Sequence, residues 1–286
     1  MRKRFISLPV LVVLLATGFV YYTTVFIVTE QWLSLSSASG LLNAIIFTGL
    51  TLMSLVCYTL AIVKDPGQVP PSYMRDLEDS NVSMHEVKRK GGDLRYCQKC
   101  GHYKPPRAHH CRVCKRCVLR MDHHCVWINN CVGHENYKAF FLFVLYVVIA
   151  CIYALVLLVG FAVEELRDDE HQSGNIFRTY YIVCASILIP LTLALVVLLV
   201  WHMYLLSHNK TTIEYHEGVR AMWLDEKAGR VYRHPYDLGL YPNLVSVLGP
   251  NQAKWICPTA LGHIGSGLRF PTYHDDISCG QLASVK

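Results

Sequence analysis

The chain has 286 residues, of which 52% are hydrophobic and 17% are charged, and its formal net charge at pH 7 is +6. Its apolar residues gather in blocks that are too long and too poor in charge for the core of a soluble domain. These properties exclude a soluble globular protein and predict an all-α polytopic membrane protein. Nucleic acid is not expected as a partner, because the basic residues crowd beside the apolar blocks and form no separate basic helix.

Four apolar runs are each close to the ~20 residues that a helix needs to cross the hydrocarbon core. The first run follows the basic residues 2–4, a pattern that also opens secretory signal peptides. However, this run is longer than the apolar part of a signal peptide, and residues 30–32 do not resemble a cleavage site. We therefore predict four transmembrane helices. They cover residues 8–28, 41–63, 139–163 and 180–206.

The placement of lysine and arginine predicts the orientation, because cytosolic loops near a span retain positive charge. Residues 64–120 carry many basic residues, whereas residues 29–40 carry none and residues 164–179 carry two. Both termini, the loop between the second and third helices, and the tail are therefore expected in the cytosol. Seven of the twelve cysteines lie in that loop. Disulfides do not persist in the cytosol, so these cysteines indicate metal binding or catalysis.

The predicted organisation has five parts, and no internal repeat is evident. A polar connector without sustained periodicity separates the second helix from a cysteine-rich domain. The parts are residues 1–63 (N-terminus and helices 1–2), 64–94 (connector), 95–138 (cysteine-rich domain), 139–206 (helices 3–4) and 207–286 (cytosolic C-terminal region).

The cysteine-rich domain has the ligand spacing of a zinc-binding module, with three C-x-x-C steps followed by histidines. Six cysteines and two histidines complete two tetrahedral sites of three sulfurs and one nitrogen each. Other histidines in this window, at positions 102, 109, 123 and 134, are competing candidates. Neighbouring side chains of an extended segment point to opposite faces, so His110 and Cys111 should serve different ions. We predict two interleaved structural sites. One consists of Cys97, Cys100, His110 and Cys117, and the other of Cys111, Cys114, His124 and Cys131.

Both predicted sites are complete without Cys125. In an extended segment His123 and Cys125 share one face, while His124 points to the other. An imidazole beside a thiol accepts its proton or stabilises the thiolate, which would lower the cysteine pKa from about 8.5 toward neutrality. Asp122 would fix the imidazole tautomer. We predict a catalytic triad of Cys125, His123 and Asp122; the alternative is that Cys125 is an additional zinc ligand.

These residues resemble the DHHC-type protein S-acyltransferases, also called palmitoyltransferases. The resemblance covers nearly the whole chain, although a leucine in the tail motif replaces the usual phenylalanine. The matching positions are Lys104-Pro105-Pro106-Arg107, His110-Cys111, Asp122-His123-His124-Cys125, Trp127, Asn130-Cys131, Gly133 and Asn136, with Asp65-Pro66-Gly67 (DPG), Thr211-Thr212-Ile213-Glu214 (TTxE) and Asn243 with Val247-Leu248-Gly249 outside the domain.

The resemblance implies a two-step transfer. Cys125 would attack the thioester of palmitoyl coenzyme A, and a cytosolic cysteine of a membrane-associated protein would then take the chain. His123 would serve as base in each step, and both zinc ions would be structural. The resemblance also suggests the Golgi or another endomembrane, with the plasma membrane as the alternative.

Two further sets of residues are candidates for acyl coenzyme A binding. Phe140, Phe143, Val147 and Ala150 share one face of the third helix and either line an acyl cavity or simply pack the bundle. Ala150 would leave space for longer chains. Basic residues near the nucleophile would bind either coenzyme phosphates or anionic lipid headgroups. They are Arg107 and Arg116, with Lys104, Arg112, Lys115 and Arg120.

Three questions remain open at this stage. A non-catalytic membrane adaptor or a RING-like ubiquitin ligase also uses zinc, but neither accounts for the extra thiol of Cys125. The TTxE element either caps a helix or braces the zinc module, and the DPG element is explained by a turn alone. Cys257 and Cys279 are candidate self-acylation sites in the tail.

Overall fold

The computed structural model describes residues 7–70, 73, 95–167, 175–227, 234–260 and 262–273. Most of the predicted connector, namely residues 71–72 and 74–94, lies outside the described residues, as does Cys279.

Among the described residues, four helical spans are long and apolar enough to cross a membrane, as predicted. They are Leu8–Leu33, Ala38–Val63, Tyr137–Glu165 and Thr179–Ser207. The first span joins α1 (Leu8–Tyr22) to α2 (Glu30–Leu33) through a π-helical segment, Thr23–Thr29. The others belong to α3 (Ala38–Val63), α4 (Tyr137–Arg167) and α5 (Asn175–Ser207).

One compact unit comprises Met1–Thr59 and Phe140–Trp201, and it contains most of the four spans. Its core is apolar, with Phe47 and Ala154 buried among the helices. Side chains without charge add hydrogen bonds: the Thr23 hydroxyl lies 2.7 Å from the Tyr180 hydroxyl. Such bonds between helices contribute ~0.6 kcal/mol each in a membrane, so most of the stability of this unit comes from packing.

The other unit comprises Leu60–Ala139 and His202–Lys286. It contains α6 (Thr212–Lys227), α7 (Leu240–Leu248) and two 3-10 turns, Val126–Ile128 and Gln252–Lys254. Three antiparallel hairpins form its cysteine-rich part: β1 (Tyr96–Cys97) with β2 (His102–Tyr103), β3 (His109–Cys111) with β4 (Arg116–Val118), and β5 (His123–Cys125) with β6 (Asn130–Val132). Two-stranded hairpins this short are marginal alone, so other bonds must hold them.

Asparagine side chains provide part of that support by bonding to the end of α3. The Asn130 amide donates to the backbone carbonyls of Ala61, Ile62 and Lys64 at 2.9–3.2 Å. These carbonyls belong to the last turn of the helix or follow it, where intrahelical donors run out. Because Asn130 faces Cys125 across the β5–β6 hairpin, the same bonds fix the position of that hairpin.

The DPG element also does more than form a turn. Its carbonyls pair with the cysteine-rich part, since Gly67 accepts from the Leu119 amide and Pro66 accepts from the Glu135 amide. Gly133 approaches so closely that a Cβ atom there would lie 2.6 Å from the Pro66 oxygen. The turn therefore attaches the module to the end of α3.

Candidate metal and catalytic site

The first predicted zinc ligand set is brought together around the β3–β4 hairpin. His110 and Cys117 are directly opposite each other across the two strands. Cys97 and Cys100 approach from a tight turn, in which the Cys97 carbonyl accepts from the Cys100 amide. The Nδ1 atom of His110 lies 3.5, 3.2 and 4.0 Å from the sulfurs of Cys97, Cys100 and Cys117.

The second ligand set repeats this arrangement on the β5–β6 hairpin. His124 and Cys131 are opposite each other, and Cys111 and Cys114 supply the turn. The Nδ1 atom of His124 lies 3.7, 3.5 and 3.6 Å from the three sulfurs. Usual zinc–sulfur and zinc–nitrogen bond lengths in a tetrahedron place such atoms about 3.6 Å apart. The residues present therefore fit two zinc ions, with the interleaving that was predicted.

The two ligand sets are copies of one pattern. Each ligand of the second set lies 14 residues after its counterpart in the first set. The expectation that the chain has no internal repeat is therefore wrong. Comparing the two sets of ligand spacings, rather than looking for similar residues, would have revealed this repeat from the sequence.

The face of β5 opposite the zinc ligand carries His123 and Cys125. His123 Nδ1 lies 2.7 Å from the Asp122 carboxylate, and its side chain also bonds to Cys125. Both Asp122 and Cys125 are buried, at 0% and 8% exposure. His124 belongs to the second zinc ligand set and Cys125 to neither set, which is the separation that alternation along this segment predicts.

The charges of this group are set by its contacts. Burial alone would lower the pKa of His123, but the bonds to Asp122 and Cys125 raise it to about 9. Burial would raise the pKa of Asp122, and the bond from His123 lowers it instead. At neutral pH the carboxylate is therefore ionised and the imidazole is protonated, so an imidazolium lies beside Cys125.

The TTxE element both caps a helix and braces the module. Thr211 and Glu214 form a capping box at the start of α6, with reciprocal side chain to backbone bonds of 3.2 and 2.9 Å. Thr212 donates to both oxygens of Asp122 at 2.9 Å, through its backbone amide and its hydroxyl. The Asp122 carboxylate is consequently held by three donors and has a fixed orientation.

Arg107 forms a buried bidentate ion pair with Glu214. Its Nε and Nη2 atoms donate to the two carboxylate oxygens at 2.7 and 2.8 Å, and its guanidinium lies 4.4 Å from the Tyr236 ring centroid. Burial would raise the pKa of Glu214, but Arg107 and His234 hold it well below its usual range. Removing one partner of such a pair costs ~3–5 kcal/mol.

These contacts change the interpretation of the expected coenzyme-binding arginines. The side chain of Arg107 is 1% exposed and donates to both Glu214 and Asn209, so it braces the module and is not available to phosphates. Arg120 is also buried, where it donates to Asn209. Arg116 remains partly exposed and pairs with Asp65 at 2.7 Å. Charge alone could not distinguish these roles in the sequence.

Sequence reasoning missed a second histidine at this site. His202, near the end of α5, is 2% exposed, and its ring centroid lies 6.0 Å from that of His123. One ligand atom each from Asp122, His123 and His202 lies within 4.8 Å of the others. The Tyr137 hydroxyl lies 3.1 Å from Nδ1 of His202. A histidine in an otherwise apolar run was the available signal.

The predicted acyl-lining residues lie on α4 in the first unit. Phe140 and Ala150 are buried, and Phe143 packs on the Tyr58 ring at a centroid distance of 4.7 Å. Ala150 belongs to a core cluster with Val25 and other residues. Further along α4, an apolar cavity is lined by twelve residues. They are Ala16, Phe19, Val20, Thr23, Thr24, Val28, Ala154, Leu158, Cys184, Ile187, Leu188 and Leu191.

The family model and the known relatives that match this chain agree with each other. A family model described as DHHC palmitoyltransferase matches residues 90–219. Probable protein S-acyltransferase 16 of Arabidopsis thaliana is 62% identical over 271 residues, covering 95% of this chain and 94% of the relative. Probable protein S-acyltransferase 15 of the same plant is 48% identical, with 90% and 99% covered. Palmitoyltransferase ZDHHC15A of Danio rerio is 29% identical, with 92% and 84% covered.

Proposed function

Because this chain belongs to the DHHC palmitoyltransferase family, we propose that Cys125 is the nucleophile through which it transfers acyl chains. The chain is a protein S-acyltransferase, with acyl coenzyme A as co-substrate and other proteins as acceptors. One observation carries the proposal: Cys125 is outside both zinc ligand sets and bonds to His123, which bonds to Asp122. An adaptor or a ubiquitin ligase has no use for this arrangement.

In the first step, the Cys125 thiolate attacks the thioester carbonyl of palmitoyl coenzyme A. A new carbon–sulfur bond forms, the bond to the coenzyme sulfur breaks, and the departing thiolate takes a proton from the His123 imidazolium. Asp122 keeps the imidazole in the orientation that faces Cys125. The two zinc ions, when bound, supply a rigid scaffold for the β5–β6 hairpin and take no part in bond making.

In the second step, His123 accepts the proton of an acceptor cysteine thiol. The acceptor sulfur then attacks the acyl carbonyl on Cys125, and Cys125 leaves as the thiolate that starts the next cycle. His123 therefore acts as an acid in the first step and as a base in the second. Over the whole cycle, one proton passes from the acceptor thiol to the coenzyme thiol, and the enzyme returns to its starting protonation state.

The acyl chain is proposed to lie against Phe140, Phe143, Val147 and Ala150 of α4. The burial of Phe140 and Ala150 and the helix face that the four residues share support this role, as does the apolar cavity further along α4. For the coenzyme phosphates, partly exposed Arg116 replaces Arg107 as the best-supported contact.

The four spans make the chain a multi-pass membrane protein. We place both termini and the zinc module in the cytosol, on the distribution of basic residues. The acceptors would then be membrane-associated proteins with cytosolic cysteines, and the Golgi or another endomembrane is the proposed location.

Incubation of the purified protein with palmitoyl coenzyme A tests the role of Cys125 by intact mass. The wild type should gain one hydroxylamine-sensitive palmitoyl group, and Cys125→Ser should gain none while its zinc content stays the same. Cys257→Ser removes a candidate self-acylation site of the tail, which lies outside the zinc ligand sets. It is the matched control and should still gain one palmitoyl group. If Cys125→Ser is still acylated, or if the zinc-loaded wild type is not, the assignment of Cys125 is wrong.

A further inference from the structure

Three side chains of types that bind metals converge in a group that includes neither Cys125 nor any residue of the two zinc ligand sets. One ligand atom each from His134, Glu135 and His263 lies within 4.8 Å of the others. His263 Nε2 is 3.1 Å from a carboxylate oxygen of Glu135. The ring centroids of His134 and His263 are 4.3 Å apart, with the planes at 56°. The two imidazole rings are therefore not stacked face to face.

The position of His134 is fixed by the backbone of the tail. Its Nε2 lies 3.2 Å from the Gly265 carbonyl oxygen, so Nε2 carries the hydrogen and Nδ1 keeps its lone pair. Gly267 packs against the Cδ2 edge, where an added Cβ atom would lie 2.7 Å away. A carbonyl that accepts from the non-ligating nitrogen is the usual support of a metal-binding histidine.

The electrostatic surroundings favour a neutral imidazole at this position. Burial first, and then the neighbouring His263, lower the pKa of His134 to about 3. His134 is also 3% exposed, so a lone pair on its ring is shielded from water. Glu135 is oriented by two contacts, because its second oxygen lies 3.6 Å from Lys64 Nζ and leaves the first oxygen toward His263.

We propose that His134, Glu135 and His263 form a further metal site, which takes one zinc ion through two nitrogens and one oxygen. Two histidines and one carboxylate are an established zinc donor set that leaves a fourth position for water. On binding, zinc would take the place of the Nε2 hydrogen that His263 directs toward Glu135, and the neutral imidazole would carry its hydrogen on Nδ1 instead. The ion would tie the tail to the two residues that follow Gly133. Without thiolates, it should be held less tightly than the two other ions.

Metal counting tests the site independently of the transfer reaction. The full-length protein is dialysed to equilibrium against buffered micromolar zinc, and bound zinc per chain is measured by mass spectrometry. The wild type should hold three ions, and His263→Gln should hold two. His216→Gln is the control for adventitious binding, because His216 is an exposed histidine of α6, and it should keep three. A wild type with two ions, or a His263→Gln protein with three, would overturn the proposal.

Cobalt identifies the ligands if a variant loses more zinc than expected. When Co²⁺ is added to the wild type with two zinc ions bound, it should show d–d absorption without the charge-transfer band of cobalt–thiolate bonds. His134→Gln should abolish this absorption. A thiolate band on the added cobalt would instead place it among the cysteines and contradict the site.

Discussion

At the scale of single residues, His202 extends the group formed by Asp122 and His123. It is buried, close to both residues, and held on its other side by the Tyr137 hydroxyl. A buried imidazole with a polar partner on one side restricts the movement of the side chains on its other side. We infer that His202 positions the imidazole of His123 without touching the acyl group.

His202→Phe should slow acyl-enzyme formation by on the order of 100-fold, because a small displacement of a reacting group has about that cost. The measurement is the rate of palmitoyl transfer to Cys125 at saturating palmitoyl coenzyme A. The loss should appear in kcat and not in KM, and His202→Gln should recover part of the rate. His208→Phe, just after the end of α5, is the control. A normal rate in His202→Phe, with zinc retained, would show that His202 is only a packing residue.

The role of an individual residue could be predicted only where the signal for it lies between neighbours in the sequence. Alternation along β5 separated His124 from His123 and Cys125, because this rule acts between neighbours. His202 lies 79 positions after His123 in an apolar run, so no local rule connects the two. The charge of Arg107 is visible in the sequence and predicts contact with an anion, either a coenzyme phosphate or a lipid headgroup. Its partner Glu214 lies 107 positions away and leaves no local signal.

At the scale of elements, the four spans were predictable because length and hydropathy determine them. Their ends were less so: α4 begins at Tyr137, two residues before the predicted start, and continues to Arg167. The short hairpins were not predicted, since two or three residues carry no periodicity. The contacts that support them are long-range, since Asn130 of β6 bonds to the end of α3 and each zinc ligand set joins residues of different segments.

Ala150→Tyr tests whether α4 contacts the acyl chain. If Ala150 lies where the chain ends, the larger side chain should shorten the preferred acyl coenzyme A by several carbons, since it fills space in a close-packed core. Acyl-enzyme formation is compared across saturated chains of increasing length. Ile149→Tyr is the control, because Ile149 is an exposed neighbour on α4. An unchanged length profile in Ala150→Tyr would remove this residue from the proposed pocket.

At the scale of the whole molecule, the orientation rests on the distribution of basic residues. A protease-cleavable epitope fused after Lys286 should be cut when protease is added to sealed microsomes. The same epitope inserted between Leu35 and Ser36, in the loop without basic residues, should be protected until detergent is added. Protection of the C-terminal epitope would reverse the proposed orientation and place the zinc module in the lumen.

The bonds between Thr212 and Asp122 join residues that are 90 positions apart, and this separation has a consequence for biosynthesis. At about 5–20 residues per second, the ribosome needs roughly 5 to 20 s to reach Thr212 after it has made Asp122. Glu214, the partner of Arg107, arrives in the same interval, after the fourth span. The nascent chain therefore contains its nucleophile well before the carboxylate beside it has all of its donors. The order of synthesis therefore delays completion of this site until the start of α6 has been made.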